Sequence, residues 1–422
     1  MDAKQLGECR SRLQRYLKDL LEPVGRAERR HWGSVYVRGL LLDGKRKSIE
    51  PMANRLPDGN VQAMQQFVGQ SPWDHMPMRR RLAERMAKEL IPACAWIVDD
   101  TGFPKKGPHS VGVARQYSGT LGKVANCQVA VALHLATDDA CMPLDFALYL
   151  PEQWAQDAER MKKAGIPEGA VFKRKWQLAL ELIDEARTWD IPQGVIVCDV
   201  AYGKINEFRR QLIERNLTYV AEIESKTIVF DQVKTGKARR GRPKKGTTKD
   251  ELKTLSVKDF AKSFPAWKWK TIRWREGTKG PLVSRFAYVR VEPAHGYKRK
   301  AHLPPRQWLL VEWPHKEEEP TKFWFTNLPH QAGLRRAVRL AKIRWRVEQN
   351  YQQQKDELGL DHYEGRGYLG WHHHVTMNMM AYGFLLLETL RSKKNFWVDP
   401  AEDSPDDPGA FGHLDRDLPD LR

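Results

Sequence analysis

Two spacings of apolar residues divide the chain into helical and strand-forming parts. In residues 6–21, 27–42 and 76–90 the apolar side chains recur at helical intervals, and Arg and Lys are frequent on the polar side. These patterns predict an N-terminal helical domain over residues 1–90. Its basic faces favour a DNA-binding domain, and a helical cap that packs on the main domain is the alternative.

Short, continuous apolar runs predict buried strands after this domain. Residues 93–98 form one run that ends at Asp99 and Asp100, and residues 195–198 form a second that ends at Asp199. Open α/β sheets place their chemistry at the carboxyl ends of buried strands, so these carboxylates are candidate functional groups. A turn carboxylate that caps a helix is the structural alternative at each position.

The neighbouring segments give these two strands a definite context. Residues 111–118 and 127–136 predict two further strands, which follow the first run as antiparallel neighbours. After the second acidic strand end, residues 205–215 predict a helix and residues 218–223 a strand. The order β-β-β-α-β-α-β is the pattern of the ribonuclease H-like fold, and it predicts the first part of an α/β core over residues 91–224.

A third candidate carboxylate lies on a helix far downstream. Residues 341–360 contain no Gly or Pro before Gly359, which predicts one helix with a glycine C-cap. Glu348 lies four residues after Arg344 and seven before Lys355, so the three side chains share one face. A solvated face of charge pairs is the alternative to a functional site. The predicted buried stripe consists of Ile343, Val347 and Leu358, with Trp345 and Tyr351 at its margins.

Between the two acidic strand ends and this helix, residues 225–325 predict a mostly β insertion. Residues 326–395 then predict the second part of the core, which a long apolar helix over residues 372–390 closes. The acidic, proline-containing residues 396–422 are expected to form a disordered tail.

The insertion carries two candidate DNA-binding features. Gly-Arg-Pro at residues 241–243 lies among basic residues and resembles a minor-groove AT-hook, and a solvated loop is the alternative. Over residues 267–275 Trp alternates with Lys and Arg, which suits stacking on unpaired bases or, alternatively, one packed face of a strand. The candidate DNA-binding residues of the insertion are Arg239, Arg240, Arg242, Lys244, Lys245, Trp267, Trp269 and Trp274.

The net charge supports a polyanionic partner. The 422-residue chain carries a formal charge of +18, and residues 399–422 hold eight acidic and two basic residues, so the rest carries +24. Nucleic acid is the first expectation and an anionic membrane surface the second. No apolar run reaches the roughly 18–20 residues of a membrane span and no signal peptide opens the chain, which favours DNA and a cytoplasmic, nucleoid-associated protein. The five cysteines show no CxxC spacing and are expected to be reduced.

Taken together, Asp99, Asp199 and Glu348 resemble the DDE triad of bacterial insertion-sequence transposases. Residues 99–105 and 118–123 are also similar to segments of this group, as is the β insertion before the glutamate helix. The resemblance covers about residues 90–392, and its motifs are specific in combination and weak singly.

The glutamate helix is similar to the signature of one branch of this family, Tyr-(2)-Arg-(3)-Glu-(6)-Lys. Arg344, Glu348 and Lys355 occupy the last three positions of that signature. The tyrosine position falls on Ala341, which is a departure from the pattern. A role of that tyrosine, such as contact with a terminal phosphate, is therefore not expected here.

The resemblance implies a metal-dependent reaction. In this family three carboxylates hold two Mg²⁺ ions, for which Mn²⁺ substitutes, so Asp99, Asp199 and Glu348 are the expected ligands. Asp100 is the alternate to Asp99. We prefer Asp99 because the family shows Asp-x-Thr/Ser after an apolar pair, and Asp99 with Thr101 satisfies that pattern.

The resemblance also implies the substrate and the partners. The expected enzyme binds terminal inverted repeats, cleaves the ends of the element and joins the 3′ ends to target DNA, as a homodimer in a synaptic complex. A transposase-derived DNA-binding protein without catalysis and a metal-dependent nuclease without strand transfer remain as alternatives. The expected phosphate contacts near the triad are Arg344, Lys355, Lys105 and Lys106.

Overall fold

The structure, a computed structural model, describes residues 3–119, 121–230, 253–277, 280–294 and 305–397. The basic segment of the insertion, with Arg239, Arg240, Arg242, Lys244 and Lys245, lies outside the described residues, and so does the acidic tail beyond residue 397.

Helices form the N-terminal part of the chain and pack on the main body. Tyr16, which is buried, donates a hydrogen bond from its hydroxyl to the carbonyl of Met380 at 2.8 Å, in a helix at the far end of the sequence. Apolar residues of the N-terminal helices belong to the same hydrophobic core as the central sheet. The helices are α1 (Ala3–Leu20), α2 (Ala27–Leu41), α3 (Ile49–Ala53), α4 (Val61–Gly69) and α5 (Met76–Glu89).

A large mixed sheet forms the centre of the molecule, and its strands come from both the predicted core and the predicted insertion. The first strands are β1 (Ala95–Pro104), β2 (Ala114–Ser118), β3 (Lys123–Ala136), β4 (Cys141–Leu148), β5 (Val195–Cys198) and β6 (Tyr219–Ile223). A small separate pair follows, β7 (Ile228–Phe230) with β8 (Thr254–Ser256). The last strands are β9 (Lys270–Gly277), β10 (Gly280–Val291), β11 (Gln307–Trp313) and β12 (Lys322–Thr326).

Helices surround this sheet. Those between the strands are α6 (Glu152–Ala155), α7 (Ala158–Lys163), α8 (Lys175–Ala186), α9 (Val200–Gly203), α10 (Asn206–Glu214) and α11 (Val257–Lys262). The chain then forms α12 (Gly333–Lys342), α13 (Trp345–Asp356) and α14 (Tyr368–Trp397). The fold is therefore α/β, as the sequence indicated. Across the described residues, no helix is long and apolar enough to cross a membrane.

The strand order brings distant parts of the chain side by side. It runs β2-β3-β1-β5-β6-β12-β11-β10-β9, and β4 pairs with β3. β1, β5 and β6 are parallel neighbours, whereas β3 is antiparallel to β1, as predicted for the consecutive strands. β12 is antiparallel to β6, with Thr326 opposite Val220. The β-rich segment before the glutamate helix thus continues the central sheet.

Strand β4 was not predicted from the sequence. Pro143 and Asp145 interrupt its apolar pattern, and both types of residue are depleted in strands. Asp145 is nevertheless buried, because its carboxylate pairs with the buried guanidinium of Arg79 in α5. A pair that joins residues 66 positions apart leaves no local sequence signal.

The prediction of one helix over residues 341–360 was wrong in one respect. α12 ends at Lys342 and α13 begins at Trp345, with a turn at Ile343 and Arg344 between them. This stretch contains no Gly or Pro, so propensity does not explain the break. The tertiary contacts made there do distinguish it: Ile343 is buried in the core, and Arg344 reaches across to β1.

The predicted glycine stop is confirmed. Gly359 adopts a left-handed φ of 62°, and its amide donates to the carbonyl of Lys355 at 3.1 Å. The amide of Leu360 donates to the carbonyl of Gln354 at 2.9 Å, which completes a Schellman motif. The predicted buried stripe is also confirmed, since Ile343, Val347 and Leu358 are all buried.

Three consecutive histidines near the start of α14 join this helix to the N-terminal helices. The ring nitrogens of His373 lie 2.9 Å and 2.8 Å from the carbonyl oxygens of Val68 and Trp73. His374 Nδ1 lies 2.8 Å from the hydroxyl of Tyr36 in α2. Burial lowers the pKa of both histidines to about 4, so they are neutral packing residues. This agrees with the interpretation of the triplet as structural.

Candidate active site

Asp99 and Asp199 lie side by side at the ends of two parallel strands. The last paired residues of β1 and β5 are Val98 and Cys198, and each aspartate directly follows its partner in that pair. Asp199 also begins α9, where its Oδ1 accepts hydrogen bonds from the amides of Ala201 at 2.9 Å and Tyr202 at 3.4 Å. Asp199 therefore caps a helix and also faces the site, so the two interpretations of this residue are compatible.

Arg344 connects the first strand end to the downstream glutamate. Its Nη1 donates to Asp99 Oδ2 at 3.0 Å, and its Nη2 donates to Glu348 Oε1 at 2.7 Å. Asp99 is only 7% exposed, whereas the Glu348 side chain is 61% exposed. The structure thus brings the three predicted carboxylates to one region, with a guanidinium between two of them.

Burial and like charge make the site costly to ionise. Burial raises the pKa of Asp99 to about 7; the guanidinium of Arg344 opposes this shift, and the charges of Asp199 and Asp100 add to it. Burial likewise raises the pKa of Asp199, with Arg344 again opposing. A site of this kind favours any cation that enters it, because the cation relieves both the desolvation and the repulsion.

Asp100 makes a different contact from Asp99. Its Oδ2 accepts a bond from the ammonium group of Lys175, at the start of α8, at 2.7 Å. Successive strand side chains point to opposite faces, so Asp99 and Asp100 are directed apart. The contact between Asp99 and Arg344 favours Asp99 as the partner of Glu348. Sequence analysis had not singled out Lys175; its position at the first turn of a periodic helix was the available signal.

Lys355 lies on the same helix as Glu348 but contacts the backbone of β1. Its ammonium group donates to the carbonyl of Gly102 at 2.9 Å and lies 5.8 Å from the centre of the Phe103 ring. Burial lowers its pKa to about 8. Lys355 therefore places a positive charge three residues beyond Asp99 along the strand.

Comparisons with known proteins agree with this arrangement. A profile of the family described as DDE superfamily endonuclease matches residues 19–281, which is more than half of the chain. The chain belongs to the DDE superfamily of endonucleases. The matched residues include Asp99 and Asp199, and Glu348 lies beyond them. The resemblance noted from the sequence is confirmed at this level.

The chain is also similar to a curated relative, the probable transposase for insertion sequence element IS701 of Microchaete diplosiphon. The two are 30% identical over 189 residues. This alignment covers 44% of the present chain and 47% of the relative, so the chain matches about half the length of that protein.

The basic turn after β1 lies beside this DDE endonuclease's candidate site. The ammonium group of Lys105 donates to the carbonyl of Tyr363, and burial lowers the pKa of Lys105 to about 8. Lys106 is exposed. Of the two predicted phosphate contacts, Lys106 is thus open to solvent, whereas Lys105 is engaged with the backbone.

The tryptophans of the β-rich segment occupy unlike environments. Trp267 is 67% exposed in a short 3-10 turn before β9, not within the strand as predicted. Trp269 packs edge-on against Trp313 with ring centres 5.1 Å apart. Trp274 lies under the ammonium group of Lys342 at 4.7 Å. Trp267 alone among these three offers a largely open ring for stacking.

The donor set suits a hard divalent cation, for which carboxylate oxygens are the preferred ligands. Within the described ranges, no three or more His, Cys, Asp or Glu side chains are grouped to hold a metal ion. Arg344 accounts for this, because its guanidinium lies between Asp99 and Glu348. The raised pKa of Asp99 and its contact with a cationic side chain show a site that calls for positive charge. The residues therefore fit a metal in chemistry, with Arg344 now in contact with two of them.

Two residues that sequence analysis did not connect with the site are Tyr202 and Tyr351. Tyr202 follows Asp199 by three residues, and Tyr351 follows Glu348 by three. Both are buried, and the charges of Asp99 and Asp100 act on the pKa of each. The shared three-residue spacing after an acidic residue was the only available signal.

Proposed function

We propose that this DDE endonuclease is a DNA transposase of an insertion sequence. It would bind the terminal inverted repeats of the element, cleave its ends and join the 3′ ends to target DNA. The observation that carries the proposal is the convergence of Asp99 and Asp199 at adjacent strand ends, with Glu348 joined to Asp99 through Arg344.

The fold and the relative support this function. The strand order β4-β3-β1-β5-β6, with β3 antiparallel to its neighbours, supports a ribonuclease H-like core. The relative that is 30% identical carries the description of a probable insertion-sequence transposase. Its alignment covers about half of each chain, so the activity of the whole protein is part of the proposal.

Asp99, Asp199 and Glu348 are the residues that would hold two Mg²⁺ ions, with Mn²⁺ as a substitute. Such ions supply activation of the attacking water or 3′-hydroxyl and stabilise the leaving oxygen. The buried strand ends exclude water from Asp99 and keep its carboxylate close to Asp199. Asp199 is oriented by the two amides of α9 that its Oδ1 accepts, so its direction is fixed before any ligand enters.

Basic residues near the carboxylates would bind the DNA strand. Arg344 suits a phosphate because its planar fork can donate two parallel bonds, and Lys355 suits one as a compact charge. In this structure Arg344 donates to carboxylates instead, so phosphate binding would require it to exchange partners. The formal charge of +18 supports a DNA partner, and a homodimer on paired ends is the expected assembly.

A cleavage and joining assay tests the proposal. The purified chain is incubated with a supercoiled plasmid that carries the element's ends and with labelled target DNA, in Mg²⁺, Mn²⁺ or Ca²⁺. We expect cleavage and joining with Mg²⁺ and Mn²⁺, and binding without cleavage in Ca²⁺, whose looser coordination places the oxygens poorly.

The alternatives give different outcomes in this assay. Cleavage without joined product would identify a nuclease that lacks strand transfer. End binding without metal-dependent cleavage would identify a DNA-binding protein that has lost catalysis. An active transposase gives both products, and both disappear in Asp199→Ala.

A further inference from the structure

Two buried tyrosine hydroxyls from different parts of the chain lie near the acidic strand ends. Tyr202 is 2% exposed and Tyr351 is 8% exposed. Burial raises the pKa of each well above its usual value, and the charges of Asp100 and Asp99 add to the shift in both. The two tyrosines also act on each other. The two hydroxyls therefore converge on one point beside the carboxylates.

Neither hydroxyl has a hydrogen-bond partner among the described residues. A buried hydroxyl without a partner is destabilising, and folded proteins rarely keep one without a reason. Phe would fill the same space at both positions without this penalty. The hydroxyls therefore indicate a partner that appears only in another state of the site.

The two rings are held by packing, so their hydroxyls have defined positions. Tyr202 lies in α9, its amide donates to Asp199, and its ring packs against Phe208 with centres 5.8 Å apart. The ring of Tyr351 meets His134 edge-on at 5.1 Å. Tyr202 thus moves with the Asp199 turn, and Tyr351 lies one helical turn after Glu348.

Asp99 is held by few groups of its own. Its Oδ1 accepts a bond from the amide of Asp100 at 2.9 Å, and its Oδ2 accepts one from Arg344 at 3.0 Å. When Arg344 moves to a phosphate, Oδ2 loses its donor. A carboxylate that binds a metal needs a fixed rotamer, and outer hydrogen bonds to the ligand usually supply it.

We propose that Tyr202 and Tyr351 are positioning residues of the carboxylate site. Their hydroxyls donate hydrogen bonds to the carboxylate of Asp99, and so hold it in its metal-binding orientation once Arg344 has left. This inference rests on the proposed metal-dependent function. It assigns the tyrosines no contact with DNA and no part in the transfer of protons.

The test combines metal affinity with thermal stability in the full chain. Mn²⁺ binding to wild type, Tyr202→Phe and Tyr351→Phe is measured without DNA by calorimetry and by the spin-resonance signal of free Mn²⁺. Each variant should bind Mn²⁺ about 10-fold or more weakly, as is typical when an outer partner of a ligand is lost. Its melting temperature should equal or exceed that of wild type, because the unpartnered hydroxyl is gone.

Tyr288→Phe is the matched control. Tyr288 also has a buried hydroxyl without a partner in the described ranges, but it lies in β10, where its ring stacks on Trp308 with centres 4.3 Å apart. We expect Tyr288→Phe to leave Mn²⁺ affinity unchanged. The double variant Tyr202→Phe/Tyr351→Phe should lose less affinity than the two single losses combined, because both hydroxyls act through one carboxylate.

Unchanged Mn²⁺ affinity in both tyrosine variants, with wild type binding Mn²⁺ and cleaving DNA, would overturn the inference and leave the proposed function intact. A wild-type chain that neither binds Mn²⁺ nor cleaves would overturn both. A fall in melting temperature that matches the loss of affinity would assign the tyrosines a structural role and also overturn the inference.

Discussion

Arg344 Nη1 lies 3.0 Å from Asp99 Oδ2 and joins a buried strand end to an exposed helix carboxylate 249 residues further along the chain. The guanidinium takes the position of a counter-charge between Asp99 and Glu348. A metal ion at these carboxylates and Arg344 would therefore compete for the same negative charge. This relation gives Arg344 two roles with opposite effects, which mutagenesis can separate.

Replacement of Arg344 should separate metal binding from cleavage. In Arg344→Ala the competing cation is absent, so Mn²⁺ should bind several-fold more tightly than in wild type. Cleavage should fall by at least 10-fold, because the phosphate contact is lost. Arg344→Lys keeps the charge but cannot bridge two groups in a plane, so it should lower cleavage more than DNA binding. Calorimetry with Mn²⁺ and single-turnover cleavage measure the two effects; weaker Mn²⁺ binding in Arg344→Ala would contradict the competition.

Loss of a carboxylate should abolish cleavage without loss of end binding. Asp199→Ala and Glu348→Ala each remove one proposed metal ligand but no positive charge, so DNA binding should stay within a few-fold of wild type. Cleavage should fall by more than about 10³-fold. Asp184→Ala is the control, because Asp184 pairs with Arg215 at a distance from the site. Gel-shift and plasmid cleavage assays check this, and near-normal cleavage by Asp199→Ala would disprove the assignment.

Lys355 should contribute to both binding and cleavage. Lys355→Met keeps most of the apolar stem but removes the ammonium group that donates to Gly102 and lies near the Phe103 ring. The proposed phosphate contact is lost as well, so both DNA affinity and single-turnover cleavage should fall. Stability should decrease by about 1 kcal/mol, the usual contribution of one hydrogen bond. Wild-type values in all three measurements would show that this helix face is only a structural surface.

Lys105 should give the stability a recognisable pH dependence. Burial lowers its pKa to about 8 from the ordinary value of 10.5. Between these two values the unfolded chain binds the proton and the folded chain does not, so this residue makes stability rise with pH in that window. Lys105→Met lacks this contribution. Its melting temperature relative to wild type should therefore be highest near pH 7 and decline towards pH 10; a constant difference would contradict the shift.

The buried ion pair of Arg79 and Asp145 should be essential for stability. Besides Asp145, Arg79 donates to Thr376 Oγ1 at 2.8 Å and to the carbonyl of Phe146 at 2.8 Å, so it joins α5 to β4 and α14. Arg79→Met leaves a buried carboxylate unpaired and should cost about 3–5 kcal/mol in denaturant unfolding. The double variant Arg79→Met/Asp145→Leu should recover much of that loss. A single variant as stable as wild type would show that Asp145 is not held by this pair.

Several features followed directly from the sequence because their causes are local. The apolar runs before Asp99 and Asp199 predicted the two strands, since residues that are buried on both faces need no alternation. The Gly359 stop followed from the need for a left-handed φ. The carboxylates could be selected as a set because each follows or lies in a recognisable element.

Other features required the three-dimensional structure. Strand β4 was missed because its buried acid is neutralised by Arg79 from a distant helix. The break between α12 and α13 was missed because its contacts, and not its propensities, distinguish it. The different environments of Trp267 and Trp269 were likewise not separable, since the same alternation describes an open ring and a packed one.

The sequence by itself determined which residues carry the chemistry and which local elements hold them, because periodicity, turn residues and motif spacing act over a few positions. Only the tertiary structure decided which of these groups meet. It placed Arg344 between Asp99 and Glu348, paired Asp100 with Lys175, and directed two unpartnered tyrosine hydroxyls towards the strand ends. The physical reason is that burial and charge pairing depend on what surrounds a side chain, and those surroundings come from parts of the chain that are distant in sequence.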